Sequence, residues 1–285
     1  MDKIINLFGG IICITVAVLS CNNPQSNFYP IGLGENWKQI YELSDDFEGE
    51  AVDLTKWNND VDDWGVWSWE PENAYVQNGF LHIKMNYEPH VRNGQELYYK
   101  SGIIWSKEPI TYGYFEARIK GCSKFPGVCP AFWMISSGNN ESSEIDFMEI
   151  QEVKGNIHQI DCNLHAHVVE NGDLTWKRER RHWIASWDPR DDFHVYGCEN
   201  TLDSIHWYVD GQKVLSAENK HWHLPMYVIL SMGLRSPLVY YDSPNPEYPE
   251  SRERYPNAEK STPEGFPTEM IVDWVRVWKN DNRIE

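Results

Sequence analysis

Residues 144–149 read Glu-Ile-Asp-Phe-Met-Glu, with carboxylates at i, i+2 and i+5 inside an apolar run. On a helix, at about 100° per residue, Glu144 and Asp146 fall roughly opposite one another. On a strand they share a face, but Glu149 falls on the other one, because side chains alternate. One extra residue at Phe147-Met148 returns Glu149 to the acidic face. A β-bulge supplies such a residue, and bulges are frequent beside active sites. Ile145, Phe147, Met148 and Ile150 then form a buried reverse face. Like charges gathered on one face repel each other, so such a row implies a use. The run therefore predicts a bulged strand with an apolar back and three acids in front. Its outer α-carbons would lie roughly 13 Å apart at ~3.3 Å per residue.

The rest of the chain is patterned in the same period. Alternating segments recur at 74–76, 80–85, 114–119, 205–209, 226–232 and 271–277, and few stretches suit a long helix. Asn78-Gly79 and Asp210-Gly211 sit between such runs as hairpin turns. Short strands with regular turn signals predict an all-β sandwich or jelly roll. Two segments depart from this pattern. Residues 60–72 are rich in Trp and acids, and residues 241–267 are rich in proline and charge. Laid over a sheet, such loops would wall a cleft.

The acid run resembles the catalytic signature of glycoside hydrolase family sixteen in its bulged form, Glu-x-Asp-x-x-Glu. Further segments resemble the same family in order: Tyr112 to Arg118, Pro130 to Met134, Trp207 to Gly211 and Val272 to Trp278. Trp67-Ser68-Trp69-Glu70-Pro71-Glu72-Asn73-Ala74, followed by Asn78-Gly79, is most similar to the branch of agarases, porphyranases and κ-carrageenases. The resemblance implies a concanavalin-like jelly roll with a substrate groove on its concave sheet. It implies double displacement with retention, for which two carboxyls ~5–5.5 Å apart are needed. Glu144 would be the nucleophile and Glu149 the general acid/base. Asp146 would lie between them, raising the pKa of Glu149 and orienting Glu144. The resemblance also implies a structural calcium at Asp273, with backbone oxygens near Gly79.

Other site residues follow from chemistry. Trp133 lies just before the acids and is expected to be a sugar platform. Among Trp64, Trp67 and Trp69, the last two share a face if extended, which makes Trp67 the first choice for a second platform. His165, in Asn163-Leu164-His165-Ala166-His167, is placed to assist Glu149. Arg178, Arg180 and Arg181 cluster in an acidic chain, and Arg235 follows a strand. Guanidinium groups match sulfate oxygens as they match phosphate, so these are candidate contacts for a sulfated sugar.

A net charge of −18 argues against nucleic acid and against a basic membrane-binding surface. The 14 Trp and 15 Tyr exceed what a core of this size needs, and the surplus suits sugar faces. Residues 1–20 read as a signal peptide, with an apolar run too short for a membrane span. Val18-Leu19-Ser20-Cys21 resembles a lipobox, which implies lipid attachment at Cys21 and a tether over 21–35. The catalytic domain would occupy 36–285, anchored by lipid in a bacterial envelope and acting as a monomer. Of the remaining cysteines, Cys122 and Cys129 flank a Pro-Gly turn; a bridge between them and buried free thiols are equally open.

The expected activity is retaining endo-hydrolysis of a β-linked red-algal galactan, porphyran or agarose first, with no cofactor needed for catalysis. A β-1,3-glucanase on the same fold and a non-catalytic glycan-binding lipoprotein are the alternatives. The acid row speaks against the second of these.

Overall fold

Alternation builds the first sheet. In the strand Phe80–Arg92, Leu81, Ile83 and Met85 are fully buried, while His82, Lys84 and Asn86 between them are not. The structure, a computed structural model, describes residues 30, 36–136, 141–151, 155–242 and 253–280. The expected signal peptide, Cys21 and nearly all of the tether lie outside the described residues.

Among the described residues the chain forms a 10-stranded sheet, a 9-stranded sheet and a 2-stranded ribbon. The 10-stranded back sheet centres on Gly113–Lys120, Thr268–Lys279 and His194–Asn200, paired antiparallel. The 9-stranded groove sheet runs, edge to edge, through Asp173–Glu179, Leu164–Glu170, Ser142–Glu149, Val128–Ile135, Tyr227–Leu234, Ile103–Ser106 and Trp57–Asn58. Among the described residues helical structure is limited to two single 3-10 turns, Tyr41–Leu43 and Pro71–Asn73. Among the described residues no helix is long and apolar enough to cross a membrane.

The two sheets meet face to face through aromatic side chains. Phe115 of the back sheet stacks on Phe147 of the groove sheet at 5.2 Å, and Phe147 meets Phe132 edge-on at 4.8 Å. Asn78-Gly79 and Asp210-Gly211 are the expected hairpin turns. Both residues of each pair have positive φ, the backbone that a two-residue hairpin of this kind requires. All four described cysteines, Cys122, Cys129, Cys162 and Cys198, are free and buried, so the open choice for Cys122 and Cys129 falls to thiols.

The expected calcium position does not fit that ion. Asp273 is the extra residue in a register shift of the closing strand, and its Oδ2 accepts from Arg118 at 2.5 Å. A carboxylate already neutralised by a guanidinium is a poor start for a cation that wants six or more oxygens. Gly79 serves only the turn, at φ +79°.

Candidate active site

The bulge lies where the acid spacing requires it. Along the pairing of Ser142–Glu149 with Val128–Ile135, Asp146 faces Trp133 and Met148 faces Phe132, which leaves Phe147 as the additional residue. Ile145, Phe147 and Met148 are all buried in the main core, and Glu144, Asp146 and Glu149 line one cleft. A bulge breaks its ladder and leaves backbone groups to be satisfied elsewhere. Here Trp207 of the back sheet donates Nε1–H to the Asp146 carbonyl at 2.8 Å. The Asp146 N–H donates to the Asn163 carbonyl at 2.9 Å, and the Cys162 thiol reaches the Phe147 carbonyl at 3.5 Å. The acid row is thus fastened from behind as well as from the side.

The cleft has a volume of about 380 Å³. Strand order distributes its contents. His165 stands opposite Glu144 in register and opposite Arg178 on its other side. Its Nε2 lies 3.6 Å from Asp146 Oδ2 and 4.0 Å from Glu144 Oε1. Beyond it, Trp176 stacks against the His165 ring at 6.2 Å, with the Arg178 guanidinium 5.4 Å above the indole. On the opposite side of the acids, Trp133 is held by an Nε1–H bond to Ser231 Oγ at 3.1 Å. Trp105 and Trp64 follow, their rings 5.8 Å apart.

The two outer acids have different surroundings. The Glu149 side chain is 10% exposed and receives four donors. Arg235 NH2 binds Oε1 at 2.5 Å, and the Cys129 thiol approaches the same oxygen at 3.6 Å. Gln151 and Asn163 each donate to Oε2 at 3.0 Å. Burial opposes its charge, but the Arg235 guanidinium and these hydrogen bonds prevail and hold Glu149 below the usual carboxylate range. Asp146 behaves oppositely. Burial, then the Glu149 charge, pushes it well above its ordinary value, and it hydrogen-bonds to Glu149. Desolvation and the neighbouring Asp146 push Glu144 up to about 8. His165 is lowered by burial, against the pull of Glu144 and Glu149.

This corrects one expectation. Asp146 was expected to keep a proton on Glu149. Instead Arg235 hydrogen-bonds to Glu149 and holds it down, while burial and the Glu149 charge push Asp146 up.

Two further expectations change. Trp67 is 2% exposed, its ring covered by the Arg254 guanidinium at 5.1 Å, so it forms a wall and not a platform. Only Ser68–Trp69 of that segment is a strand, and Trp69 is equally buried. Trp64, 37% exposed and packed on Trp69 at 4.9 Å, presents the open ring. Of the arginine cluster, Arg178 and Arg180 lie near enough to act on His165, whereas Arg181 is paired with Glu179. Among the described residues, the Glu144, Asp146 and His165 group alone could bring several ligand atoms together for a metal. Three ligands, one of them shared with the nucleophile, suit acid chemistry better than a hard cation.

Sequence reasoning missed Gln151, Asn163, Trp105, Trp176 and Arg254. Trp176 had a signal: Asn171-Gly172 is a hairpin turn with both φ positive, which sets Trp176 opposite His167. Arg254 had none, since it sits in a charge-rich stretch and arrives through the ribbon of Val239–Asp242 with Glu253–Pro256.

A bulged acid row on the groove sheet of a jelly roll has known counterparts. The family described as β-porphyranase A–D, GH16 domain, matches residues 37–280. The chain belongs to glycoside hydrolase family 16. Its family-16 domain is 42% identical over 271 residues to a κ-carrageenase from Pseudoalteromonas carrageenovora, covering 86% of this chain and 65% of that relative. The chain thus spans just under two-thirds of that protein's length. A crystal structure of the Pseudoalteromonas carrageenovora κ-carrageenase with an oligotetrasaccharide of κ-carrageenan superposes with TM-score 0.77 at 39% identity, covering 91% of this chain and 99% of that one. β-Porphyranase B from Zobellia galactanivorans is 28% identical over 206 residues, covering 62% of this chain and 67% of the relative.

Proposed function

We propose that this family-16 domain is a retaining endo-hydrolase of a sulfated, β-linked galactan of the carrageenan type. The observation that carries the reading is the bulged acid row set beside half-buried guanidinium groups. Arg235 and Arg254 both line the acid cleft, and Arg178 borders it across His165. Arg235 is already paired with Glu149, but Arg254 Nε is buried with no hydrogen-bond partner, and a sulfate ester offers it an anionic acceptor that a neutral polysaccharide lacks. The higher identity to a κ-carrageenase than to a porphyranase supports moving carrageenan ahead of porphyran and agarose.

In this reading Glu144 passes its proton to His165, whose Nε2 lies 4.0 Å from it, and attacks the anomeric carbon as a carboxylate while Glu149 protonates the leaving oxygen. Glu149 then takes a proton from water, which displaces Glu144 from the glycosyl-enzyme. Asp146 and His165 carry the change of charge between the two. Trp133 and Trp64 stack on sugar faces on one side of the acids.

Incubation with κ-carrageenan, porphyran, agarose and laminarin, followed by reducing-end analysis, tests the reading. Chains of κ-carrageenan are expected to shorten most rapidly, and proton NMR should show the β anomer first. Preferred cleavage of laminarin, or an initial α product, would overturn it. The Val18-to-Cys21 motif supports export and lipid anchoring of the enzyme, working as a monomer in the envelope. Replacing Cys21 by Ala should abolish labelling by radioactive palmitate and release the protein from membranes.

A further inference from the structure

The free groove holds its general acid in the wrong state for the first step. Glu149 must donate a proton to the leaving oxygen, yet the donors around it, Arg235 first, favour its carboxylate form. The lock is a closed ring. Arg235 NH2 binds Glu149 Oε1 at 2.5 Å, Arg235 Nε binds Gln151 Oε1 at 3.1 Å, and Gln151 Nε2 binds Glu149 Oε2 at 3.0 Å. Arg235 NH1 is tied to the Leu234 carbonyl at 3.0 Å. A proton for Glu149 is close by, on the Asp146 carboxyl that hydrogen-bonds to it.

A second observation shows where Arg235 can go. Arg254 lines the same cleft, near enough that the Arg235 charge helps to pull it below its ordinary value after burial has done so. Its Nε is buried with no hydrogen-bond partner. Two guanidinium groups with an unused donor between the acids and the Trp67 wall form an incomplete anion site. An incoming anion would complete it by drawing in Arg235.

We propose that Arg235 is a substrate-operated latch: in the free groove it holds Glu149 as a carboxylate, and a sulfate ester on the bound sugar draws it toward Arg254, so that the Asp146 proton passes to Glu149. This rests on the sulfated-galactan reading. The transfer is balanced, since the Asp146 O–H bond breaks, an O–H bond forms on Glu149, and the negative charge moves to Asp146. His165 Nε2, 3.6 Å from Asp146 Oδ2, meets that charge. The other titratable groups facing Glu149 do not replace Arg235. Cys129 is a thiol held neutral by burial, and Asp161 and Glu144 are acids that burial raises to about 6 and about 8. The consequence is selectivity expressed in turnover. A galactan without the sulfate can occupy the groove but leaves the acid disarmed.

The test uses the Glu144→Gln protein, which binds without turning over, and difference infrared spectroscopy of its protonated carboxyls at neutral pH. The ligands are κ-carrageenan tetrasaccharide and the same tetrasaccharide chemically desulfated. Asp146→Asn and Glu149→Gln in that background assign the bands. The free protein should show an acid carbonyl band belonging to Asp146. The sulfated ligand should replace it with one belonging to Glu149, and the desulfated ligand should not. Arg235→Met should show the Glu149 band without ligand. In the native enzyme, desulfation should lower kcat by about 10²-fold or more, the scale of a lost general acid, with a smaller change in KM. A Glu149 band already present in the free protein, or the same band change with both ligands, would overturn the latch alone. Calorimetry showing that only the desulfated ligand binds would overturn the sulfated-galactan reading and the latch with it.

Discussion

Both sheets turn aromatic rings outward, but they treat them differently. On the back sheet the chain covers its own rings. Arg276 lies 4.3 Å over Trp274, and Arg118 lies 4.6 Å over Phe193, which also stacks on Phe80 at 5.5 Å. Tyr75 and His82 stack at 5.0 Å, and Glu269 takes a hydrogen bond from each. Around the groove Arg178 and Arg254 cover Trp176 and Trp67, but among the described residues no cation covers Trp64 or Trp133, whose indole N–H donates to Ser231. The number of aromatic residues therefore does not locate a sugar site. What locates it is rings whose faces the chain leaves unpartnered.

The strongest way to break this contrast is at the acids. Glu144→Gln should lower kcat by about 10⁴-fold or more while calorimetry still finds tetrasaccharide binding. Turnover near the native level in a folded variant would remove the groove sheet's claim to be catalytic. A smaller effect is expected at the uncovered ring. Trp133→Ala should lower kcat/KM roughly 10-fold through lost stacking, with little change in Tm. If Tm collapsed instead, Trp133 would belong with the covered rings of the back sheet.

The third prediction concerns pH. Glu144 titrates at about 8 in the fold against an ordinary 4.5, so the folded chain retains a proton that the unfolded chain releases. Its contribution to stability is fully present below pH 4.5 and is lost as pH rises through about 8. Glutamine at this position does not titrate. Glu144→Gln should therefore raise Tm at pH 9 by at least ~2 °C, on the order of 1 kcal/mol, with no such gain at pH 4. An equal gain at both pH values would mean packing and not charge. The smallest effects belong to the back sheet. Arg276→Ala should cost about 0.5–1 kcal/mol by denaturant melts and leave kcat untouched. Dialysis against EDTA should leave Tm within about 1 °C, since Arg118 already neutralises Asp273 and a half-exposed pair near the surface contributes ~0–1 kcal/mol.

The parts that could be read from sequence were those with a local period. The bulge followed from three acids and four apolar residues competing for two faces, and the hairpins followed from Asn-Gly and Asp-Gly. Trp67 was misjudged because alternation holds only in an extended strand. Residues 60–69 are instead shaped by side-chain bonds: Asp63 accepts from the Trp69 N–H at 2.8 Å and pairs with Arg92. Arg235 was identified by type, but its grip on Glu149, 86 residues away in sequence, depends on Ser142–Glu149 and Tyr227–Leu234 both pairing with Val128–Ile135. Arg254 reaches the cleft only because Tyr241 pairs with it across the ribbon. No local pattern encodes such long-range pairings.

The Trp207 bond to the Asp146 carbonyl divides the labour of the molecule. The reacting carboxylates are anchored through the core, to the layer that no substrate touches. Arg254 and Trp64, the proposed sugar contacts, ride on the ribbon and the segment preceding a two-residue strand. Substitutions in those outer pieces can therefore change the accepted sugar one at a time while the acid spacing stays fixed. A change at Trp207, remote from any sugar, would disturb the chemistry for every substrate alike.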